Sequence, residues 1–315
     1  MKSVILSSIF NEVKIKNTLK KLQTVLILVA ICSTAVEAST FKNNSFFVGH
    51  AYGTHGEYIV PDPSLENFLK KNPPSFLAFG GDLTARNTDF EKFYDHFKGM
   101  KTLMVRGNHD GQLFDKIPYW KEAYIDGNKF FNLDMNRDMK FSSEILGTMK
   151  DAIILQHYVW FLSLYSGLPI ANSMYRTIPI NPLTINFGKN NVYLAGDCGA
   201  FSKNFPFAST IYKENTFICS GLGTKWANHV VDLNNYQPIF FDHQGNVMAS
   251  TCKNFYGRYE NTIILCLPNS TKAELFWSKI ESKRWKTIWY LKWKFNYIDY
   301  LKGKIKGYMS KLKLI

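Results

Sequence analysis

From Ser45 onward the chain repeats one pattern, about four consecutive apolar residues followed by a polar or glycine-rich corner. The runs are Ser45-Phe-Phe-Val48 before Gly49-His50, Phe76-Leu-Ala-Phe79 before Gly80-Gly81-Asp82, and Thr102-Leu-Met-Val105 before Gly107-Asn108-His109-Asp110. Two more follow, Ala152-Ile-Ile-Leu155 before His157 and Val192-Tyr-Leu-Ala195 before Gly196-Asp197. Short apolar runs without alternation, closed by turn residues, predict strands buried on both faces. Between them, Pro63–Lys71 and Asp89–Lys98 carry helical spacing, with Phe90, Phe93, Tyr94 and Phe97 on one face. Strands alternating with helices predict a layered α/β domain. Beyond Phe217, the runs Phe217–Gly221, Val230-Val231, Pro238–Phe241 and Thr262–Cys266 are joined by loops, with Gly245-Asn246 as a hairpin turn. An antiparallel portion is therefore expected to close the domain. Pro169–Pro182 lacks periodicity and reads as a long surface loop, and Asn128–Met139 and Ser163–Thr184 read as loops walling a site.

His50, Asp82, Asn108, His157 and Asp197 each stand just past a predicted strand end. In open α/β sheets ligands bind beyond the carboxyl ends of the strands, so side chains distant in sequence can meet there. Carboxylate, amide and imidazole together suit a divalent transition metal. Singly, each has a plain structural explanation. A strand-end His is satisfied in a core, an Asp caps a helix, and an Asn takes up a left-handed turn. Caps and turns do not account for their recurrence, in order, at successive strand ends.

Gly81-Asp82 after a strand, Gly107-Asn108-His109-Asp110 about 25 residues later and then His157 resemble the central motifs of calcineurin-like metallophosphoesterases. The resemblance runs from about Ser45 to Leu267. It implies an α/β fold of two mixed β-sheets packed face to face with flanking helices. The activity it implies is hydrolysis of phosphate mono- or diesters at a dinuclear metal centre. Under the resemblance Asp82 is the bridging carboxylate, Asn108 the amide ligand and His157 the second-metal imidazole. His109 is the proton donor or transition-state stabiliser, and Asp110 holds its ring.

Two motifs depart from the family pattern. Where Asp-x-His is expected after the first strand, this chain has His50-Ala51-Tyr52; where Gly-His-x-His is expected last, it has Gly196-Asp197-Cys198-Gly199. One metal position keeps Asp82, Asn108, His157 and Asp197, while the other keeps Asp82 and His50. A single firmly held divalent ion is expected, with the second weak or absent, and manganese or iron ahead of zinc because oxygen donors dominate. The function implied is a metal-dependent phosphoesterase in which metal-activated water attacks phosphorus in line. The altered end motifs support a different reading, a non-catalytic metal-containing module binding phosphorylated glycan or lipid in the cell envelope. Phosphorylated small molecules, glycans or lipids are the expected substrates.

The net charge of +13 favours acidic partners, and its placement narrows them. From Lys283 to Ile315 ten Lys or Arg face Asp299 alone, so nine of the thirteen excess charges lie in that tail. No nucleic acid is expected as a partner of the domain itself. In the tail, Trp285, Trp289, Trp293, Tyr297, Leu301, Ile305 and Tyr308 recur at helical spacing among lysines. That suits a helix lying on an anionic membrane surface, or a terminal helix docking its aromatic stripe on the domain. At the other end Lys14, Lys16, Lys20 and Lys21 precede the apolar run Val25–Cys32, and Val36-Glu37-Ala38 precedes Ser39. Residues 1–38 thus read as a signal peptide or N-terminal anchor, residues 39–280 as the catalytic domain and 281–315 as the basic aromatic tail. The protein is expected to be exported, to the periplasm or the extracellular space. Export permits disulfides. Cys252 and Cys266 fall on segments able to pair as strands, and Cys198 and Cys219 read as buried thiols or as disulfide partners.

Overall fold

The four-residue apolar runs become the centres of two mixed β-sheets. The structure is a computed structural model that describes residues 41, 44–51, 61–84, 90–107, 110, 120–133, 142–158, 186–197, 206–221, 227–256 and 262–281. All of these belong to Thr40–Ile315, the larger of two compact units into which the chain divides. The first sheet contains β1 (Ser45–Val48), β2 (Phe76–Phe79), β3 (Thr102–Met104), β10 (Asn228–Asp232), β11 (Pro238–Phe241) and β12 (Val247–Met248), in the order β12-β11-β10-β1-β2-β3. The second contains β4 (Glu122–Ile125), β5 (Asn128–Leu133), β6 (Ala152–Tyr158), β7 (Val192–Asp197), β8 (Phe207–Tyr212), β9 (Asn215–Ser220), β13 (Ser250–Tyr256) and β14 (Thr262–Pro268). Its order is β13-β14-β8-β9-β7-β6-β5-β4. In the first sheet β1, β2 and β3 run parallel, and in the second β5, β6, β7 and β9 do.

Alternation along each strand sends neighbouring residues to opposite layers. Phe47, Phe76, Ala78 and Val105 of the first sheet meet Phe130, Leu155, Leu194, Phe207 and Ile218 of the second in one buried cluster, the core between the sheets. The other face of the first sheet presents Phe46, Leu77, Phe79 and Phe241 to α1 (Pro63–Lys71) and α2 (Phe90–Phe97). Asp62 caps α1 by accepting from the Ser64 amide, Pro63 opens the helix, and Leu65, Phe68 and Leu69 form its buried stripe. Two further helices, α3 (Ser142–Thr148) and α4 (Thr271–Glu281), complete the described elements. Among the described residues no helix is long and apolar enough to cross a membrane.

The fold matches the expected α/β sandwich of two mixed sheets, with one reassignment. Asn128–Leu133, read from the sequence as part of a loop walling the site, is strand β5, paired with β4 and β6. The signal lay in Asp126-Gly127, which links β4 and β5 with φ of 50° and 81°. Two positive φ angles across a two-residue connection make a type I′ hairpin, for which Asp-Gly is a favoured pair. Three polar residues, Asn128, Lys129 and Asn132, hid the strand that follows. The rest of Asn128–Met139, all of Ser163–Thr184, and the readings of 1–38 and 282–315 fall outside the described residues. Cys252 and Cys266 face each other on β13 and β14 and form a disulfide. Cys219 is also disulfide-bonded rather than a free thiol.

Phe68 tests the helix-on-sheet layer. Its ring stacks on Phe241 at 4.4 Å and meets Phe46 edge-on at 5.3 Å, fully buried. Phe68→Ala should lower the free energy of unfolding by about 3–5 kcal/mol, and Phe68→Leu by clearly less, in urea denaturation.

Candidate metal centre

Parallel strands align their carboxyl ends, and here two sheets bring theirs to the same place. Gly49, Gly80 and Gly107 follow β1, β2 and β3 of the first sheet. Opposite them, in the second, stand His157 in β6, Gly196 and Asp197 at the end of β7, and Ser220 at the end of β9. The approach is close enough to exclude side chains. A Cβ on Gly80 would lie 2.6 Å from the Gly196 Cα, and one on Gly81 would lie 2.7 Å from His157 Nδ1. His157 and Asp197 sit within their strands rather than past them, because β6 and β7 run on to Tyr158 and Asp197.

The side chains of His50, Asp82, His157 and Asp197 approach one another. His157 Nε2 lies 3.3 Å from Asp82 Oδ1 and 3.9 Å from Asp197 Oδ2, so both carboxylates approach one imidazole nitrogen. His50 Nε2 lies 3.3 Å from the other Asp82 oxygen, Oδ2. Asp82 therefore turns each oxygen toward a different ring. His157 Nδ1 is 2.9 Å from the Gly80 carbonyl oxygen, which can only accept, so Nδ1 carries the proton. In the neutral ring that makes Nε2 the lone-pair nitrogen, the arrangement by which a backbone carbonyl orients a metal-binding histidine.

The corner that presents Asp82 is strained. Gly81 and Asp82 have φ of 89° and 48°, and a non-glycine residue in the left-handed region costs on the order of 1–3 kcal/mol unless its surroundings hold it. Asp110 holds it. Its Oδ1 accepts from the amides of Leu83 at 2.6 Å and Thr84 at 3.2 Å, and its Oδ2 accepts from the Gly107 amide at 2.6 Å. These contacts clasp the loop after β2 to the loop after β3. The resemblance implies that Asp110 holds the ring of His109, a residue outside those described; its described contacts give it this structural part as well. Any residue larger than glycine at 107 would collide with Asp82.

The electrostatics leave a surplus of negative charge. Asp82, Asp110 and Asp197 are all buried. Burial, and next the charge of Asp82, push Asp110 up to about 6 against the lowering effect of its amide donors. For His157 burial opposes protonation, yet Asp82, Asp197, the Gly80 carbonyl and Asp110 together raise its pKa above the usual imidazole value. A site that strengthens its proton binding in this way also favours a cation. Two donors about 2.1 Å from a common ion, at right to tetrahedral angles, are roughly 3.0–3.4 Å apart, which matches the two 3.3 Å pairs. Among the described residues no three or more His, Cys, Asp or Glu side chains form a ready metal-holding group, the Asp197 contact at 3.9 Å being the longest. The residues fit a divalent ion in chemistry and in pairwise spacing. Asn108, the expected amide ligand, and His109 lie outside the described residues, as do Tyr52, Cys198 and Gly199.

The calcineurin-like phosphoesterase family model matches residues 54–189. The match supports the calcineurin-like metallophosphoesterase superfamily. The match spans Asp82, the Gly107–Asp110 element and His157, which supply the centre's shared carboxylate, its clasp and its central imidazole. No curated protein matches the chain significantly. A solved structure described as "GAP50 the anchor in the inner membrane complex of Plasmodium" is similar at 13% identity over 76% of this chain and 95% of that chain, with a TM-score of 0.39.

From the sequence, His229 after the Ser220–Gly223 corner reads as a surface or packing residue able to border the pocket, but its pairing with Ser220, and that of Asp62 with Asn228, carry no sequence signal. These residues sit on β9, on β10 and at the α1 cap, and only the strand pairing brings them behind His50. The clasp gives a direct test. Asp110→Asn places an amide NH2 against a backbone N–H, leaving a buried donor without its acceptor. It should cost about 1–3 kcal/mol in chemical denaturation of the metal-free protein.

Proposed function

We propose that the metallophosphoesterase domain hydrolyses phosphate esters with a divalent ion held by Asp82, Asn108, His157 and Asp197, and with His50 at a weaker second position. The observation that carries this reading is that Asp82 offers one oxygen to His157 and the other to His50, the placement a bridging carboxylate needs. When bound, the ion supplies Lewis acidity at the phosphoryl group and an activated water. The chain's own residues do the rest. The Gly80 carbonyl sets the tautomer of His157, and Asp110 fixes the corner that aims Asp82. Buried carboxylates create the field that draws a cation in, and His109 delivers a proton to the departing alcohol oxygen. Oxygen donors outnumber imidazoles in this set, which favours manganese or iron over zinc. Phosphorylated small molecules, glycans or lipids are the proposed substrates, in an exported protein. The Cys252–Cys266 disulfide supports an oxidising compartment.

Metal-supplemented wild-type protein should release phosphate or phenol from aryl phosphate mono- or diesters. Asp82→Asn should lower that rate by more than about 100-fold, with loss of the bound ion by elemental analysis. An ion-free protein inactive on both ester types with manganese, iron and zinc would rule the hydrolase out. The altered motifs at His50-Ala51-Tyr52 and Gly196-Asp197-Cys198-Gly199 favour one competing reading, a non-catalytic binder of phosphorylated ligands. Phosphoester binding without turnover would select it.

We further propose that the basic aromatic tail holds the protein on an anionic membrane surface, its aromatics in the interface and its lysines against headgroups. Protein truncated after Glu281 should lose most of its partition onto phosphatidylserine-containing vesicles in a sedimentation assay. Unchanged partition would end this part of the reading.

A further inference from the structure

Behind His50 lies a polar arrangement that the proposed chemistry does not use. Ser220 Oγ, at the end of β9 in the second sheet, is 2.9 Å from His229 Nε2 on β10 in the first, and the two residues are 0% and 2% exposed. A buried polar pair contributes little net stability where apolar side chains could fill the same space. Its position is more informative. The antiparallel register sets Phe47 opposite Val231, and continuing it two residues sets Gly49 opposite His229. A Cβ on Gly49 would lie 3.0 Å from Ser220 Oγ and would run into the Ser220 carbonyl. One on Gly196 would lie 2.7 Å from the Gly49 oxygen. Gly49 is thus gripped between the ends of β9 and β7, and the next residue is His50.

The far side of His50 is held as well. The Ala51 carbonyl accepts from the Asp62 amide at 3.1 Å. Asp62 Oδ2 accepts from Asn228 Nδ2 at 3.2 Å, and Asn228 Oδ1 accepts from the His229 amide at 2.8 Å. A buried chain of hydrogen bonds therefore runs Ser220–His229–Asn228–Asp62–Ala51 and fixes the residues on either side of His50. Full burial makes the Ser220 hydroxyl unsuitable as a nucleophile, which leaves a supporting part. Burial, and next the neighbouring His50, push the His229 pKa down to about 3, so the ring stays neutral beside a centre that takes a cation.

We propose that the Ser220–His229 pair is a positioning strut for His50, joining the two sheets so that the His50 ring is held toward Asp82. The inference rests on the reading of His50 and Asp82 as metal ligands. Ser220→Ala and His229→Leu remove the hydrogen bond, while His229→Gln keeps a polar partner for Ser220. Crystal structures of the metal-free variants would read the His50 Nε2 to Asp82 Oδ2 distance, and manganese titration would read affinity.

In Ser220→Ala and His229→Leu, His50 should leave its 3.3 Å contact, and the weakest manganese site should lose about 10–100-fold in affinity. His229→Gln should restore both. An unmoved His50 in the two disrupting variants would overturn the proposal. So would a His229→Gln protein indistinguishable from His229→Leu, since the pair would then act only by filling space. Should His229→Leu fail to fold, Ser220→Ala decides alone, being the smaller change. A wild-type protein that takes neither manganese, iron nor zinc would defeat the proposed hydrolase, yet the crystallographic distance would still decide the strut.

Discussion

The candidate centre depends on how closely two sheets approach at the carboxyl ends of their parallel strands. Side chains from one sheet could not make this centre, because Asp82 and His50 come from the first and His157 and Asp197 from the second. The hydrogen bond between His157 and the Gly80 carbonyl crosses that junction, and the absence of side chains at Gly80 and Gly196 allows it. Everything nearer the chemistry follows from this approach. It fixes the tautomer of His157, it puts two carboxylates within reach of one nitrogen, and it leaves Asp82 between two imidazoles.

Such a junction costs stability. Three buried carboxylates share a small volume, one of them sits at a strained backbone corner, and glycines replace residues that could have packed. Strained and like-charged arrangements persist only where surrounding structure over-determines them. Two supports do so from different directions. Asp110 clasps the loops after β2 and β3 through three backbone amides. The Ser220–His229 hydrogen bond and the Asn228–Asp62 link brace the segment after β1. The apolar layers, with Phe68, Phe79 and Phe93 between helices and sheet, supply the stability that these polar features subtract.

The sequence was most legible where burial is complete. The strands Ser45–Val48 and Phe76–Phe79 and the helix Pro63–Lys71 coincide with the predicted runs because each is bounded by turn or capping residues and consists of apolar positions of one period. The site was legible for a related reason. Its residues interrupt those apolar runs at their ends, where a polar side chain in a buried setting needs an explanation. What escaped notice was polar or partly exposed. In β5, Asn128, Lys129 and Asn132 broke the apolar signal, although Asp126-Gly127 marked the hairpin before it. The resemblance gave Asp110 to the ring of His109, which lies outside the described residues. The described partners of Asp110 are the Gly107 amide and two backbone amides from a loop 26 and 27 residues away. Backbone donors carry no sequence signature, so contacts of that kind emerge only in three dimensions.

The two supports bear on the altered motifs. Tyr52 and Gly199 stand where the family pattern has imidazoles, yet the backbone positions that flank the retained donors are still held by dedicated hydrogen bonds. A fold serving only as a scaffold would gain by exchanging buried Asp82, His157 and Asp197 for apolar residues of similar volume, since buried charges are often replaceable without loss of stability. Retaining them, oriented toward one another and braced from two sides, trades stability for a chemical property of the cluster. Under the proposed function that property is affinity for a divalent cation, with Asp82 placed between His157 and His50. Loss of peripheral ligands would weaken the second position first, because His50 is the sole described donor there besides Asp82. Under the proposed function, the asymmetry written in the sequence at residues 50–52 and 196–199 would leave one position with more donors than the other.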